Sequence, residues 1–370
     1  MKISFVNYKE EFKKIGEEVL REIKRVLSNG DLILRGDVEK FEKDFADYVG
    51  TRYAVGVNSC TDALIISLKA VGIKAGDEVI TVSHTFWASI EAIIHCGAVP
   101  VLVDVGNDYL INTLKIEEKI TSKTKAILPV HLNGRVCDMD RIMEIAKKYN
   151  LKVIEDAAQA VGATFRGKMA GSFGNAGCFS FYPSKILGCY GDGGVITTDN
   201  PYIKKIAWLL RSHGQGIKTK DYPILYVGWT SRLHNIQATI LNIKMKYLTG
   251  WIKKRKEIAE RYNEGLRDIK QIKLPPEPNE FNNDSYQNYV IRAEKRDDLF
   301  KFLSENGIET LIKDPIPNHL QPAFTYFYGI PNLPLSEQLC EEVISLPIHP
   351  DLTQEQTEYI IKIIKDFYGG

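Results

Sequence analysis

No run of apolar residues in this 370-residue sequence is long enough to cross a bilayer, and neither sign of charge dominates. The formal net charge is +1, so composition offers no concentrated basic surface for nucleic acid or an anionic membrane. The opening residues, MKISFVNYKEEFKK, become charged too soon to supply the apolar core of a signal peptide. Cysteine is sparse and scattered: Cys60, Cys96, Cys137, Cys178, Cys189 and Cys340 show neither CxxC nor His/Cys ligand spacing. They read as reduced thiols of a cytoplasmic protein, not as a disulfide framework or a zinc site. Internal repeats and low-complexity segments are also missing. What remains is 44% hydrophobic and 26% charged residues, enough for one large globular domain and a smaller one.

From Tyr53 to about Asp199 short β-branched runs alternate with helical patterns. YAVGV, DEVITVSH, PVLVDV, KAILPVHL, LKVIED, CFSFY and GVITT read as buried strands, with amphipathic stretches such as TDALIISLKAVG and MDRIMEIAKKYN between several of them. The pattern predicts an α/β fold, a mostly parallel sheet sandwiched by helices. Long helical periodicity takes over near Ser231, and the Pro/Asn-rich LPPEPNEFNNDS precedes a further strand and helices. The expected division is residues 1–250, an N-terminal helix and large domain, and 251–370, a smaller α+β domain. Ligands of such sheets bind beyond the carboxyl ends of the strands.

Three features there bear on chemistry. Asp156 and Gln159 follow the run LKVIED, with Glu155 directed to the opposite face by alternation. A carboxylate in that crevice needs a partner, unless it merely caps a helix. Lys185 lies between the aromatic run CFSFY and the cluster GDGG. Only about one free lysine in 2,500 is uncharged at pH 7, so a catalytic lysine needs a pocket that lowers its pKa or a covalent link to an aldehyde. If that aldehyde is pyridoxal phosphate, a buried carboxylate must keep its ring nitrogen protonated, and Asp156 and Lys185 would account for each other. The third feature is VGVNSCTDALIISL, strand, turn and helix, which offers a phosphate the start of a helix at Ser59, Cys60 and Thr61. Ser180 could add a hydroxyl, and Phe86 could stack on a ring. GATFRGK, Gly162 to Lys168, imitates a nucleotide-binding loop, but Met169 stands where the magnesium-binding Ser or Thr belongs; it reads as a hairpin.

In order and spacing, VIEDAAQAVGA, FSFYPSK, GDGGVITTD, LRSHG, SRLHNIQA, PIPNHLQPAF and SLPIHPDLT resemble the DegT-type sugar aminotransferases. These are pyridoxal-phosphate enzymes of the aspartate aminotransferase fold, fold type I. The resemblance implies that Lys185 is the Schiff-base lysine and that Asp156 pairs with the pyridinium nitrogen. It implies further that Gln159 bonds the ring hydroxyl, that Phe86 stacks on the ring, and that Ser180 with the Cys60–Thr61 turn holds the phosphate. It also implies a homodimer with active sites at the interface, where the partner usually supplies an asparagine. Here Thr230 stands in that asparagine's place, His234 where an acid is common, and Ile186 where another asparagine is frequent.

The reaction so implied moves an amino group from an amino acid, L-glutamate in relatives, to a nucleotide-linked keto-sugar. PIPNHLQPAF points towards C3 of a 3-keto-6-deoxyhexose, with His319 as a candidate sugar contact or a plain core histidine. A 4-keto-sugar or small keto-phosphate acceptor stays open. A sugar dehydratase is disfavoured, since such relatives carry histidine at the Lys185 position. A non-catalytic cofactor-binding regulator is the remaining alternative, motivated by the missing asparagine.

Overall fold

The computed structural model describes residues 1–215 and 224–369. Thirteen strands lie within them. β1 (Tyr53–Val57), β2 (Glu78–Val82), β3 (Val99–Val103), β4 (Thr124–Ile127) and β5 (Lys152–Asp156) come first. The short β6 (Thr164–Phe165) and β7 (Lys168–Met169) precede β8 (Ala176–Ser180) and β9 (Gly194–Thr198). β10 (Ile272–Lys273), β11 (Asn282–Asn283), β12 (Tyr289–Ala293) and β13 (Val343–Leu346) complete the set.

The central sheet has seven strands in the order β1-β9-β8-β5-β4-β2-β3. β9 alone runs against the others, pairing antiparallel with both β1 and β8. The start of β9 therefore lies at the same edge as the ends of its neighbours. Gly194 is in register with Val57 on one side and Ser180 on the other. The strands expected from β-branched runs form, and the sheet is mostly parallel as the alternation required. That one strand is reversed was not legible, because a fully buried strand reads alike in either direction.

Helices Cys60–Ala70 and Met139–Tyr149 cover the sheet where the amphipathic segments placed them. The N-terminal helix Tyr8–Asn29 stops at Gly30, whose φ of 71° only glycine adopts freely. GATFRGK forms the β6–β7 hairpin, with Arg166 and Gly167 both at positive φ in its turn and β11 paired alongside. A second core gathers Tyr262, Tyr289, Leu299, Leu303, Ile344 and Ile360 around the three-stranded sheet β10-β12-β13. It also takes in Ile3, whose N–H donates to the Gly307 carbonyl (2.8 Å). All six cysteines are buried and free. No described helix is long and apolar enough to cross a membrane.

The end of β5 is anchored by Glu155, which is fully buried. Its Oε1 accepts from the N–H groups of Phe173 and Gly174 (2.7 Å each), and its Oε2 from Gly171 N–H (2.7 Å) and His131 Nε2 (2.9 Å). His131 Nδ1 itself accepts from Cys137 N–H (3.1 Å), which fixes the tautomer that donates to Glu155. Substituting Glu155 by alanine removes the acceptor of four donors in a dry site. We expect a loss of roughly 3 kcal/mol or more, seen as a lowered thermal midpoint; an unchanged midpoint would refute this account of the anchor.

Candidate active site

The chemistry-bearing residues come from the edge that alternation and topology expose. Asp156 ends β5 and is 5% exposed. Its Oδ2 accepts from Ser89 Oγ (2.7 Å) and its Oδ1 from Ala158 N–H (3.1 Å). Since Ser89 spends its proton on the carboxylate, the Thr85 hydroxyl 2.9 Å away must donate to Ser89. Burial pushes the Asp156 carboxyl above its ordinary range, while Ser89, Ala158, Lys185 and His131 pull it down. No cation lies within ion-pair distance among the described residues.

Lys185 sits in the turn after β8, its N–H donating to Tyr182 O (2.9 Å). By area it keeps some access to solvent. Desolvation nonetheless holds its amine below the usual lysine range, against the opposing charges of Cys60, Asp156 and Asp314. Its Nζ has no hydrogen-bond partner among the described residues. The peptide units on either side of it are held by one buried side chain: Gln287 Nε2 donates to Ser184 O (3.0 Å), and Ile186 N–H donates to Gln287 Oε1 (2.9 Å).

Cys60 opens the helix after β1 and is 8% exposed. Burial is the first cause of its strongly raised pKa; Asp156 adds to the shift and Lys185 opposes it, so helix start, carboxylate and amine share one neighbourhood. Ser59 caps the helix, its Oγ accepting from Asp62 N–H (3.1 Å), a contact worth about 1 kcal/mol. The N–H groups of Cys60 and Thr61 have no acceptor among the described residues. Gly194 allows the close approach: a Cβ there would stand 2.4 Å from the Ser59 carbonyl carbon and 2.8 Å from Cys60 N. Ser180 is buried at the adjacent strand end.

Gln159 is buried, and its Oε1 accepts from Asn133 N–H (3.0 Å) and Asn288 Nδ2 (2.9 Å). Its amide nitrogen is left without a protein partner among the described residues. Phe86 lies between β2 and Ser89 and is 64% exposed, so its ring is available to another group.

Two residues named from sequence are not brought to this centre within the chain. Trp229 Nε1 and Ser231 Oγ both reach the Asp62 carboxylate (3.1 and 2.8 Å), and Thr230 between them faces outward, exposed, 2.8 Å from His213 Nε2. Of the two readings of His319, the structure favours the core histidine over the sugar contact. The ring is wholly buried, with Nδ1 2.7 Å from Ser83 Oγ and Nε2 3.2 Å from Glu337 Oε1. Both nitrogens are used inside the protein, as expected of a core histidine. Sequence reasoning missed Ser89, Gln287, Asn288 and Lys313. Ser89 stands three residues after Phe86, at the start of the helix Ala88–His95, and could have been found there; the other three come from distant segments that no spacing links to the strand ends.

The residues present fit pyridoxal phosphate. A buried carboxylate without a cation suits a protonated ring nitrogen, two unpartnered N–H groups at a helix start suit a phosphate, and a desolvated free amine suits an aldehyde.

Comparison with known proteins agrees. The model of the DegT/DnrJ/EryC1/StrS aminotransferase family matches residues 13–365. A transaminase of Aneurinibacillus thermoaerophilus, named for dTDP-3-amino-3,6-dideoxy-alpha-D-galactopyranose, is 44% identical over 366 residues, covering 99% of each chain. A Geobacillus stearothermophilus protein named pleiotropic regulatory protein is 38% identical over 371 residues, covering 100% of this chain and 99% of the relative. The crystal structure of S. venezuelae DesV in complex with a ketimine intermediate superposes with a TM-score of 0.95 at 38% identity, covering 100% of this chain and 99% of that one. The chain thus belongs to the DegT/DnrJ/EryC1/StrS aminotransferase family and is a pyridoxal phosphate-dependent aminotransferase.

Proposed function

We propose that this aminotransferase moves an amino group from L-glutamate to C3 of a nucleotide-linked keto-deoxysugar. The observation that carries the transfer chemistry is the desolvated Lys185 amine within electrostatic reach of the buried Asp156 carboxylate. The acceptor class is supported by the Aneurinibacillus relative, whose name specifies a 3-amino-3,6-dideoxyhexose on dTDP.

When bound, pyridoxal phosphate supplies an aldehyde to carry the amino group and a ring to take up electrons from the donor's α-carbon. The rest falls to the protein. Asp156, oriented by Ser89 and Ala158, would hold a proton on the ring nitrogen, since its charge has no other cation near. Cys60 and Thr61 N–H with Ser180 would bind the phosphate, Gln159 the ring hydroxyl, and Phe86 would cover one face. Desolvation favours the neutral form of Lys185 Nζ, the form able to take a proton from the donor's α-carbon and return one to the acceptor. Gln287 keeps that amine from drifting by fixing both adjoining peptide units.

We further infer a homodimer in which Thr230, facing away from its own helix start, serves the partner's phosphate site. Sedimentation equilibrium should give a mass near twice 41.9 kDa; a monomer at working concentration would remove this reading.

Incubation with glutamate and a panel of 3-keto and 4-keto nucleotide sugars, read by mass spectrometry, tests the substrate assignment. Amination of a 3-keto compound alone is expected; amination confined to 4-keto sugars or to keto-phosphates would overturn it. Lys185→Ala should lower turnover by at least about 10²- to 10⁴-fold, and Asp156→Asn by at least about a hundredfold. The check is steady-state kinetics alongside the cofactor's visible absorbance. Lys185→Ala retaining turnover would show that another amine does the work.

A further inference from the structure

Three cationic side chains converge at this site, and only one of them has a role so far. Lys313, beyond the helix Arg296–Glu305, donates from Nζ to Asn288 Oδ1 (2.8 Å). Asn288 Nδ2 in turn donates to Gln159 Oε1 (2.9 Å) and Asn133 Oδ1 (3.0 Å). The Lys313 amine is thereby tied through one amide to the residue assigned to the ring hydroxyl. Arg255, on the helix Leu248–Leu266, is 7% exposed and donates from Nη1 to Tyr286 O (3.0 Å) and Gln287 O (3.3 Å). Its Nε has no partner, and no carboxylate lies within ion-pair distance of it among the described residues. Arg255 and Lys185 line one cavity of about 100 Å³.

The acidic side is thinner. Asp156 is committed to the ring nitrogen, and Glu11 and Asp351, which line the same cavity, are paired with Lys244 and Lys14; that leaves Asp314, itself beyond ion-pair distance of Lys313 and Lys185 among the described residues. Buried positive charge without a counter-ion is unfavourable, and a ligand that brings an anion relieves it. An amino-acid donor always brings one, on the carbon whose amine must reach the place of Lys185.

We propose that Lys313 is the carboxylate-binding residue of this site, its ammonium receiving the α-carboxylate of the amino-acid donor while Arg255 adds positive potential behind Lys185. This rests on the aminotransferase reading above and names the residue that reading lacks. A carboxylate could also arrive on the acceptor, as a uronate; the recognition chemistry is shared and kinetics separate the two.

The assignment has a pH signature. Lys313 is pushed down to about 7 by burial first and then by Lys185 and Arg255, with Asp314 opposing. These are the charged groups that face it from the β8 turn, the helix Leu248–Leu266 and its own segment; Asn288 is neutral. A carboxylate binds the ammonium form, so affinity is full below this pKa and declines as pH rises through it.

The probe is glutarate, a dicarboxylate with no amine to react, titrated by calorimetry into the cofactor-loaded dimer or monomer as purified. The wild type should bind it more weakly well above pH 7 than well below. K313M should weaken binding roughly 10- to 100-fold at the lower pH and abolish the pH dependence. K313R should restore affinity at both pH values, because a guanidinium does not titrate there; a merely structural role would not produce that pattern. In kinetics K313M should raise KM for glutamate and leave KM for the keto-sugar unchanged. Equal glutarate binding by wild type, K313M and K313R would overturn the proposal, as would a KM effect confined to the acceptor. Failure of the wild type to accept an amino group from any amino acid would instead overturn the functional reading, while Lys313-dependent glutarate binding would still uphold the site.

Discussion

The whole site depends on a buried carboxylate and a desolvated amine brought together beyond the ends of two neighbouring parallel strands. Asp156 ends β5, and Lys185 follows β8, the strand with which β5 pairs through Asp156 and Cys178. Burial acts on them in opposite directions, raising the acid and lowering the base, so each is driven towards its neutral form. Each also opposes that drift in the other by its charge. Such a pair is held in readiness for a ligand with a complementary cation and an electrophilic carbon, and the unpartnered Nζ shows which end is left free to react.

One step along β5 shows how the same residue type is made inert. Glu155 faces the opposite side of the sheet, where four donors satisfy it completely. Asp156 receives two donors and no cation. The difference between scaffold and reagent is therefore a matter of how many partners the pleat supplies on each face, not of depth, since both are buried.

Much of this was legible in the sequence, for identifiable reasons. Strands made of β-branched runs have few alternatives, and an acid or lysine just past such a run must lie at the ligand edge of a parallel sheet. Cys60, Ser180 and Gln159 could be placed for the same reason. His319 could not, because a motif gives position along the chain and says nothing about which neighbours consume the ring nitrogens; Ser83 and Glu337 did so from segments far away. The reversed direction of β9 was equally silent. Lys313, Asn288 and Gln287 escaped because their importance is created by tertiary contact alone: Gln287 and Asn288 meet loops at the edge of the large sheet, and Lys313 meets Asn288, and no local spacing announces either.

Gln287 deserves a last consequence. One amide, buried just before β12, grips the backbone on both sides of the reactive lysine across more than a hundred positions of sequence. The segment leading into β12 is thereby tied to the backbone that carries the nucleophile. The amine is aimed by a segment from outside the sheet that carries it, so the smaller core is a condition of the larger one's chemistry.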